Sequence, residues 1–199
     1  MVLTVKREIV SLIPAFELGL WNAWIFILPM IIISILGSKI FGKRGSAEVS
    51  GLTKRVKTAN SLYLLILVLL YAYSIFLPLE LNTLWFYAGL LSYLLGVLVV
   101  VLSLLSFHTT SADKLVTKGV FRISRNPGYV GDFLVNTGIG IACLSWVFLL
   151  AAIAFFLLLR YYVVVVEEPF LAEKYGVAYR EYKSRTPRWI GIPKSEKKQ

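Results

Sequence analysis

The sequence has little charge, one histidine and almost no cysteine. Of its 199 residues, 16% are charged and 58% are hydrophobic, against about 25% charged and about 45–50% apolar in an ordinary soluble domain. A chain with so few charges is shifted towards lipid. The single cysteine, Cys143, rules out an internal disulfide; it lies in a hydrophobic run and reads as a packing residue. No Cys/His cluster has metal-ligand spacing, so no metal is expected. There is no Walker loop, no G-x-S-x-G and no G-x-G-x-x-G after a strand, which excludes a P-loop, an α/β-hydrolase elbow and a Rossmann domain. Acids are scarce too: 11 against 21 Lys and Arg, a net charge of +10. The basic residues sit in connectors between apolar runs, so nucleic acid is not the expected partner.

What is present is a series of apolar runs. The pattern predicts an all-α integral membrane protein, one domain over 1–199 with no internal repeat. Its five transmembrane helices fall at approximately 16–36, 62–81, 84–107, 130–145 and 147–168, each near the ~20 residues that cross a bilayer core. The first run is longer than the apolar core of a signal peptide and has no A-x-A-like site after it, so it reads as a mature span in which Pro29 could form a kink. The last apolar stretch, Phe133 to Val166, is 34 residues long. One helix of that length would measure about 51 Å at ~1.5 Å per residue, against a core of about 30 Å. It is therefore divided in two by a turn near Cys143 to Trp146.

The basic residues orient the bundle. Six lie in 37–60, four in 108–132 and eight in 167–199, and the connectors near Asn82 and Ser145 hold none. Five spans put the three basic segments on one side, which is the cytoplasm by the positive-inside rule; the N-terminus is then outside, although Lys6 and Arg7 count mildly against this. Trp21, Trp24, Trp85, Tyr87 and Trp146 fall near the outer interface. Pro169 is expected to start an interfacial helix over 169–184, with Leu171, Tyr175, Ala178 and Tyr182 as its apolar face.

Two stretches between spans carry groups suited to chemistry. In Arg125-Asn126-Pro127-Gly128-Tyr129-Val130-Gly131, Pro127 fixes its own φ and biases Asn126 towards extended backbone, while Gly128 permits close approach. Such a turn suits an adenosine-type ligand; a plain loop and helix start is the alternative. Glu167 and Glu168 close an otherwise apolar helix. Two acids at that depth are either interfacial decoration, although the negative inner leaflet favours Lys or Arg there, or they face a cavity holding a cation. Arg160 lies seven residues before Glu167, about 10.5 Å along the same helix face. It is either a snorkelling side chain or an anchor for an anionic head group. His108 ends the third span, as a cap or as a ligand contact.

Leu115-Val116-Thr117, Gly119-Val120-Phe121 and Arg125 to Gly131, followed by Glu167-Glu168, Leu171, Gly176, Tyr179 and Tyr182, resemble the isoprenylcysteine carboxyl methyltransferase family and its phospholipid methyltransferase relatives. Those enzymes show LVT-x-G-x-Y, R-H-P-x-Y-x-G and a later Glu-Glu. The resemblance covers residues 108–192. It implies S-adenosylmethionine as methyl donor, S-adenosylhomocysteine as product, and the α-carboxylate of an isoprenylated cysteine as acceptor, with the tail entering from the lipid bilayer and the cofactor from the cytoplasm. Carried over, His108, Lys114, Leu115, Val116, Phe121, Asn126, Pro127, Gly128, Tyr129 and Glu167 would hold the cofactor. Glu167, Glu168 and Arg125 would be catalytic, and Arg160 would bind substrate. The chain departs from the pattern at Asn126 (His in the family), at Phe121 (Tyr) and at Val163, where the animal enzymes carry a substrate-binding Arg; either Arg160 or Arg125 replaces it, or the acceptor differs. A carboxylate acceptor needs no general base. N-methylation of phosphatidylethanolamine would need one, and Glu167 or Glu168 would then be candidates. A non-enzymatic membrane scaffold is the second alternative.

Overall fold

The computed structural model describes residues 18–50, 54–111 and 113–192. Among these the chain is all helical: α1 (Trp24–Ser50), α2 (Lys54–Ser74), α3 (Leu84–His108), a 3-10 turn (Gly119–Arg122), α4 (Pro127–Ala142), α5 (Trp146–Tyr162), a π turn (Val163–Glu167) and α6 (Glu168–Arg185). Two helices are long and apolar enough to cross a membrane: α3, and the continuous helix that starts at Trp146. The apolar parts of α1 and α2 are shorter, Trp24–Lys39 and Leu64–Ser74. Residues 16 and 17 of the expected first span lie outside the described residues.

Each boundary has a local cause. Thr83 caps α3 by accepting from the Phe86 N–H, and Ser145 caps α5 by accepting from the Phe148 N–H. The turn that divides α4 from α5 passes through Leu144, whose φ of 48° is left-handed. The second span stops earlier than its hydropathy suggests. After Ser74 a turn through Ile75 and Phe76 leads into a segment that pairs with the residues just before α1, Ala23 N–H donating to Leu77 O and Leu79 N–H to Trp21 O. The expectation of helix to residue 81 is corrected there. Backbone groups that would have continued the helix bond across the chain instead.

The tightest packing is between α3 and α4, which run antiparallel. A Cβ added at Gly96 would stand 2.6 Å from Val135 N and 2.7 Å from Gly131 O; one added at Gly138 would stand 2.6 Å from Tyr93 N and 2.7 Å from Gly89 O. Gly89 and Gly96 on α3 thus face Gly138 and Gly131 on α4, and both pairs repeat every seven residues. Small residues let helix backbones touch, a common means of association in lipid, where apolar burial between helices gains little. Gly96→Ala is expected to lower stability by roughly 1–3 kcal/mol, since the obstacle is backbone. The control is Gly128→Ala, whose Cβ would meet nothing within 4 Å. Unfolding temperatures in detergent check the pair: a fall for Gly96→Ala and none for Gly128→Ala.

The main core gathers side chains from α1 to α5, around Phe26, Met30, Tyr93, Ile139 and Phe148. Tyr93 also ties α3 to α1, its hydroxyl donating to Phe26 O at 2.8 Å. The outer side of α3 remains apolar as well: Leu91, Leu94, Leu98 and Leu105 are exposed. A helix apolar on all sides is a buried or membrane helix. A second, smaller core joins the loop after α3 to α6 through Val116, Phe121, Tyr179 and Tyr182.

The path from α5 to α6 differs from the expected break at Pro169. The helix is uninterrupted: a π turn over Val163–Glu167 leads directly into α6, with Pro169 in its first turn. The kink comes later, at Gly176, with φ 54° and ψ −118°. It resets the helix register, so Leu171 and Tyr175 before it and Tyr179 and Tyr182 after it pack inward, while Ala178, expected on the apolar face, is exposed.

Candidate active site

A cavity of about 260 Å³ opens between the last turns of α3, the 3-10 turn, the first turn of α4 and the π turn. α3 contributes Val100, Ser103, Leu104 and Phe107; the 3-10 turn contributes Phe121; α4 and the residue before it contribute Asn126, Pro127, Gly128, Tyr129 and Asp132; the π turn contributes Glu167. The two stretches singled out in the sequence therefore share one cavity. Their closest link is a hydrogen bond from the Tyr129 hydroxyl to Glu167 Oε2, 3.1 Å long. Phe107 and Phe121 stand edge to face, with centroids 5.1 Å apart. They form an aromatic wall.

The π turn brings Glu167 there. A π turn inserts extra backbone into an α-helix and rotates everything beyond it, and such turns are frequent at functional sites. It also breaks the seven-residue relation between Arg160 and Glu167: Arg160 is exposed on α5 and does not line the cavity.

Glu168 has a different environment from its neighbour. It is buried and bound by three cations. Arg125 Nη1 lies 3.1 Å from its Oε1, Arg188 Nε lies 2.6 Å from the same oxygen, and Lys183 Nζ lies 2.9 Å from Oε2. Arg188 Nη2 also donates to Oε2 at 3.1 Å, which makes the Arg188 pair bidentate. Burial pushes the Glu168 carboxyl upward, but hydrogen bonds from Arg188 and Lys183 and the charges of Arg125 and Arg188 outweigh it and hold the group down at about 2. Glu168 and Arg125, both expected to be catalytic, are paired with each other in the fold, and neither lines the cavity. Cations distant in sequence occupy Glu168, and Arg125 donates to Glu168 and to the Tyr179 hydroxyl.

This cluster fixes the turn that shapes the cavity. Residues 186–189 lie across it: Arg125 N–H donates to Pro187 O, Asn126 Nδ2 to Arg188 O at 3.0 Å, and Ser124 Oγ to Arg188 O at 3.3 Å. Asn126, where the resembled family has His, thus holds backbone through its amide while facing the cavity.

Of the other residues expected at the cofactor, Phe121, Asn126, Pro127, Gly128 and Tyr129 line the cavity, whereas Lys114, Leu115, Val116 and His108 do not. Val116 is buried in the smaller core with Leu115 against it, and Lys114 and His108 are exposed. The geometric reason for His108 is helical phase: the cavity face of α3 is set by Ser103 and Phe107. Asp132 and Ser103 were missed. Asp132, five residues after Pro127, lies on the same α4 face as Gly128, and its position before a long apolar run was the available signal. Arg188 and Lys183 gave no local signal.

The phospholipid methyltransferase family matches residues 84–178. Every residue lining the cavity falls in that region, as do Arg125 and Glu168, whereas Lys183 and Arg188 lie beyond it. The similarity is to membrane methyltransferases as a class. No curated protein sequence matches the chain.

Proposed function

We propose that the chain is an S-adenosylmethionine-dependent methyltransferase of the membrane that acts on a lipid-borne acceptor, with its site at the cytoplasmic face. The single observation that carries this is the composition of the cavity: two carboxylates, Asp132 and Glu167, no basic residue, an aromatic wall and an open turn. A mostly apolar cavity with two acids and no base selects a positively charged guest. The open space at Gly128 leaves room for it, since even an added Cβ would touch nothing there. Bound S-adenosylmethionine supplies a methyl group activated by a sulfonium charge. Glu167 would hold that charge, with the Tyr129 hydroxyl fixing Oε2, and Phe121 and Phe107 would offer ring surface to the adenine. α3 and the helix from Trp146 would cross the bilayer. At ~1.5 Å per residue a core of about 30 Å takes the second of these from Trp146 to about Val166, so Glu168 and α6 lie beyond it.

Two acceptor chemistries divide on charge. The isoprenylcysteine α-carboxylate implied by the sequence resemblance arrives ionised, with a reference pKa near 3.5, and needs a cation to hold it. The candidates, Arg160 and Arg125, do not line the cavity. A lipid amine of the phosphatidylethanolamine type arrives as a cation, is attracted by the same two carboxylates, and must lose a proton before it can attack. Asp132, in the cavity with Glu167, is placed to take it. The lining therefore favours the amine. Labelled S-adenosylmethionine offered to the protein in lipid with phosphatidylethanolamine or N-acetyl-farnesylcysteine tests this. Acid- and base-stable label on the amine is expected; base-labile label on the prenylcysteine would return the assignment to carboxyl methylation. A protein that binds no S-adenosylmethionine would sink the methyltransferase reading.

A further inference from the structure

A second cavity, about 410 Å³, opens on another face of the end of α3, between that helix and the 3-10 turn. Leu102, Leu105, Ser106 and Thr109 form one wall, and Lys118, Gly119, Val120 and Ile123 form the other. On α3 these residues are out of phase with Val100, Ser103, Leu104 and Phe107, which face the acidic cavity. The two cavities are thus separated by the helix itself, and their charges are opposite: the first holds two acids, the second one base and no acid.

The lining is sorted by polarity along the helix. Leu102 and Leu105 lie towards the middle of α3, and Ile123 is 52% exposed across from them. Ser106, Thr109 and Lys118 lie towards its end. From Leu102 to Thr109 the helix rises about 10.5 Å at ~1.5 Å per residue, so an apolar trough gives way to a polar lip. Lys118 is held at that lip, because its Nζ donates to Thr109 O at 2.6 Å. The Ser106 and Thr109 hydroxyls donate to Leu102 O and Leu105 O, and the Lys118 ammonium is the charged group of the lining. The far wall is shaped for this place. Gly119 has a φ of 61°, and an added Cβ would stand 2.6 Å from Ser106 Oγ, so the 3-10 turn lies directly on the helix.

An apolar trough that ends in one fixed cation, at the end of a helix read as crossing the bilayer, has the form of an amphiphile with an anionic head. We infer that this groove binds an anionic phospholipid, its phosphate on Lys118 and its acyl chain along Leu102, Leu105 and Ile123. The site rests on α3 crossing the membrane and is separate from methyl transfer. It would hold a structural lipid against the 3-10 turn whose Phe121 lines the other cavity.

The test is retention of lipid by the full chain. The protein is placed in nanodiscs of equal parts phosphatidylglycerol and phosphatidylcholine, released gently, and weighed by native mass spectrometry. Phosphatidylglycerol should be retained about fivefold over phosphatidylcholine, the worth of one interfacial cation. Lys118→Gln should abolish the preference and Lys118→Arg should keep it, while Ile123→Asp should lower retention of both lipids. Equal retention by the wild type, or a preference unchanged in Lys118→Gln, overturns the inference. Displacement of the lipid by glycerol phosphate would show a phosphate site without a chain-binding groove and would also overturn it. A chain that fails to enter nanodiscs would end the membrane reading and this one together. A chain that enters, retains the lipid and binds no S-adenosylmethionine would leave the groove standing without the proposed enzyme.

Discussion

Glu167→Gln is expected to weaken S-adenosylmethionine binding by about 30- to 150-fold while leaving the unfolding temperature unchanged. Removing one partner of a desolvated charge pair costs about 2–5 kcal/mol. Glu167 is only partly buried, so the lower part of that range, about 2–3 kcal/mol, applies, and each ~1.4 kcal/mol is tenfold. Glutamine keeps the size and the acceptor for the Tyr129 hydroxyl and removes only the charge, so a loss of affinity would report the charge itself. Tyr129→Phe removes the bond that orients Oε2. Hydrogen bonds to charged groups are worth about 1.5–3 kcal/mol, and only the orienting share should be lost here, so a fall of about tenfold is expected. Calorimetric titration of the detergent-solubilised protein measures both. Wild-type affinity in Glu167→Gln would show that the carboxylate does not hold the cofactor's charge, and the case for a cationic guest would then rest on Asp132 alone.

The sequence made the apolar architecture legible and concealed the relations between helices. α3 was readable because Leu84 to Phe107 is unbroken, and the division near Cys143 followed from the thickness of a bilayer. The shaped turn at Asn126 to Tyr129 was readable because Pro127 and Gly128 act on their own backbone. The π turn was not, since four valines at 163–166 carry no mark of π geometry, yet it decides where Glu167 points and separates it from Arg160. The glycine seam was hidden for another reason. Each seven-residue repeat is unremarkable alone, and it has meaning only when Gly89 and Gly96 are set against Gly138 and Gly131, roughly forty residues away. Glu168 illustrates the same limit. Read along the chain, it has no cation nearby, which points to one from outside; in the fold, Arg125, Lys183 and Arg188 converge on it. Two adjacent acids thus have different surroundings, Glu167 lining the cavity and Glu168 bound by three cations, through contacts with no local signature.

That contrast leads to the second large effect: Glu168→Gln is expected to cost about 3–5 kcal/mol of stability, the range for breaking a buried ion pair from one side. The three cations do not share the loss equally. Lys183 is 47% exposed and Arg188 is 31% exposed, whereas Arg125 is 8% exposed and cannot turn to water. Exposed pairs are worth about 0–1 kcal/mol, so Lys183→Ala should change little, and most of the penalty should come from Arg125 left buried without its partner. The pH dependence has a definite sign. The carboxyl is held at about 2, below its ordinary value of 4.5, so folding favours its charged form. Its contribution is complete above about 4.5 and is lost as pH falls through the window towards about 2. Denaturant unfolding across that window should show a stability slope in the wild type that Glu168→Gln lacks. If Glu168→Gln unfolds like the wild type at neutral pH, the cluster does not hold residues 186–189 over the Asn126 turn. The Asn126 Nδ2 and Arg125 N–H bonds to that segment would then be sufficient to fix the cavity wall.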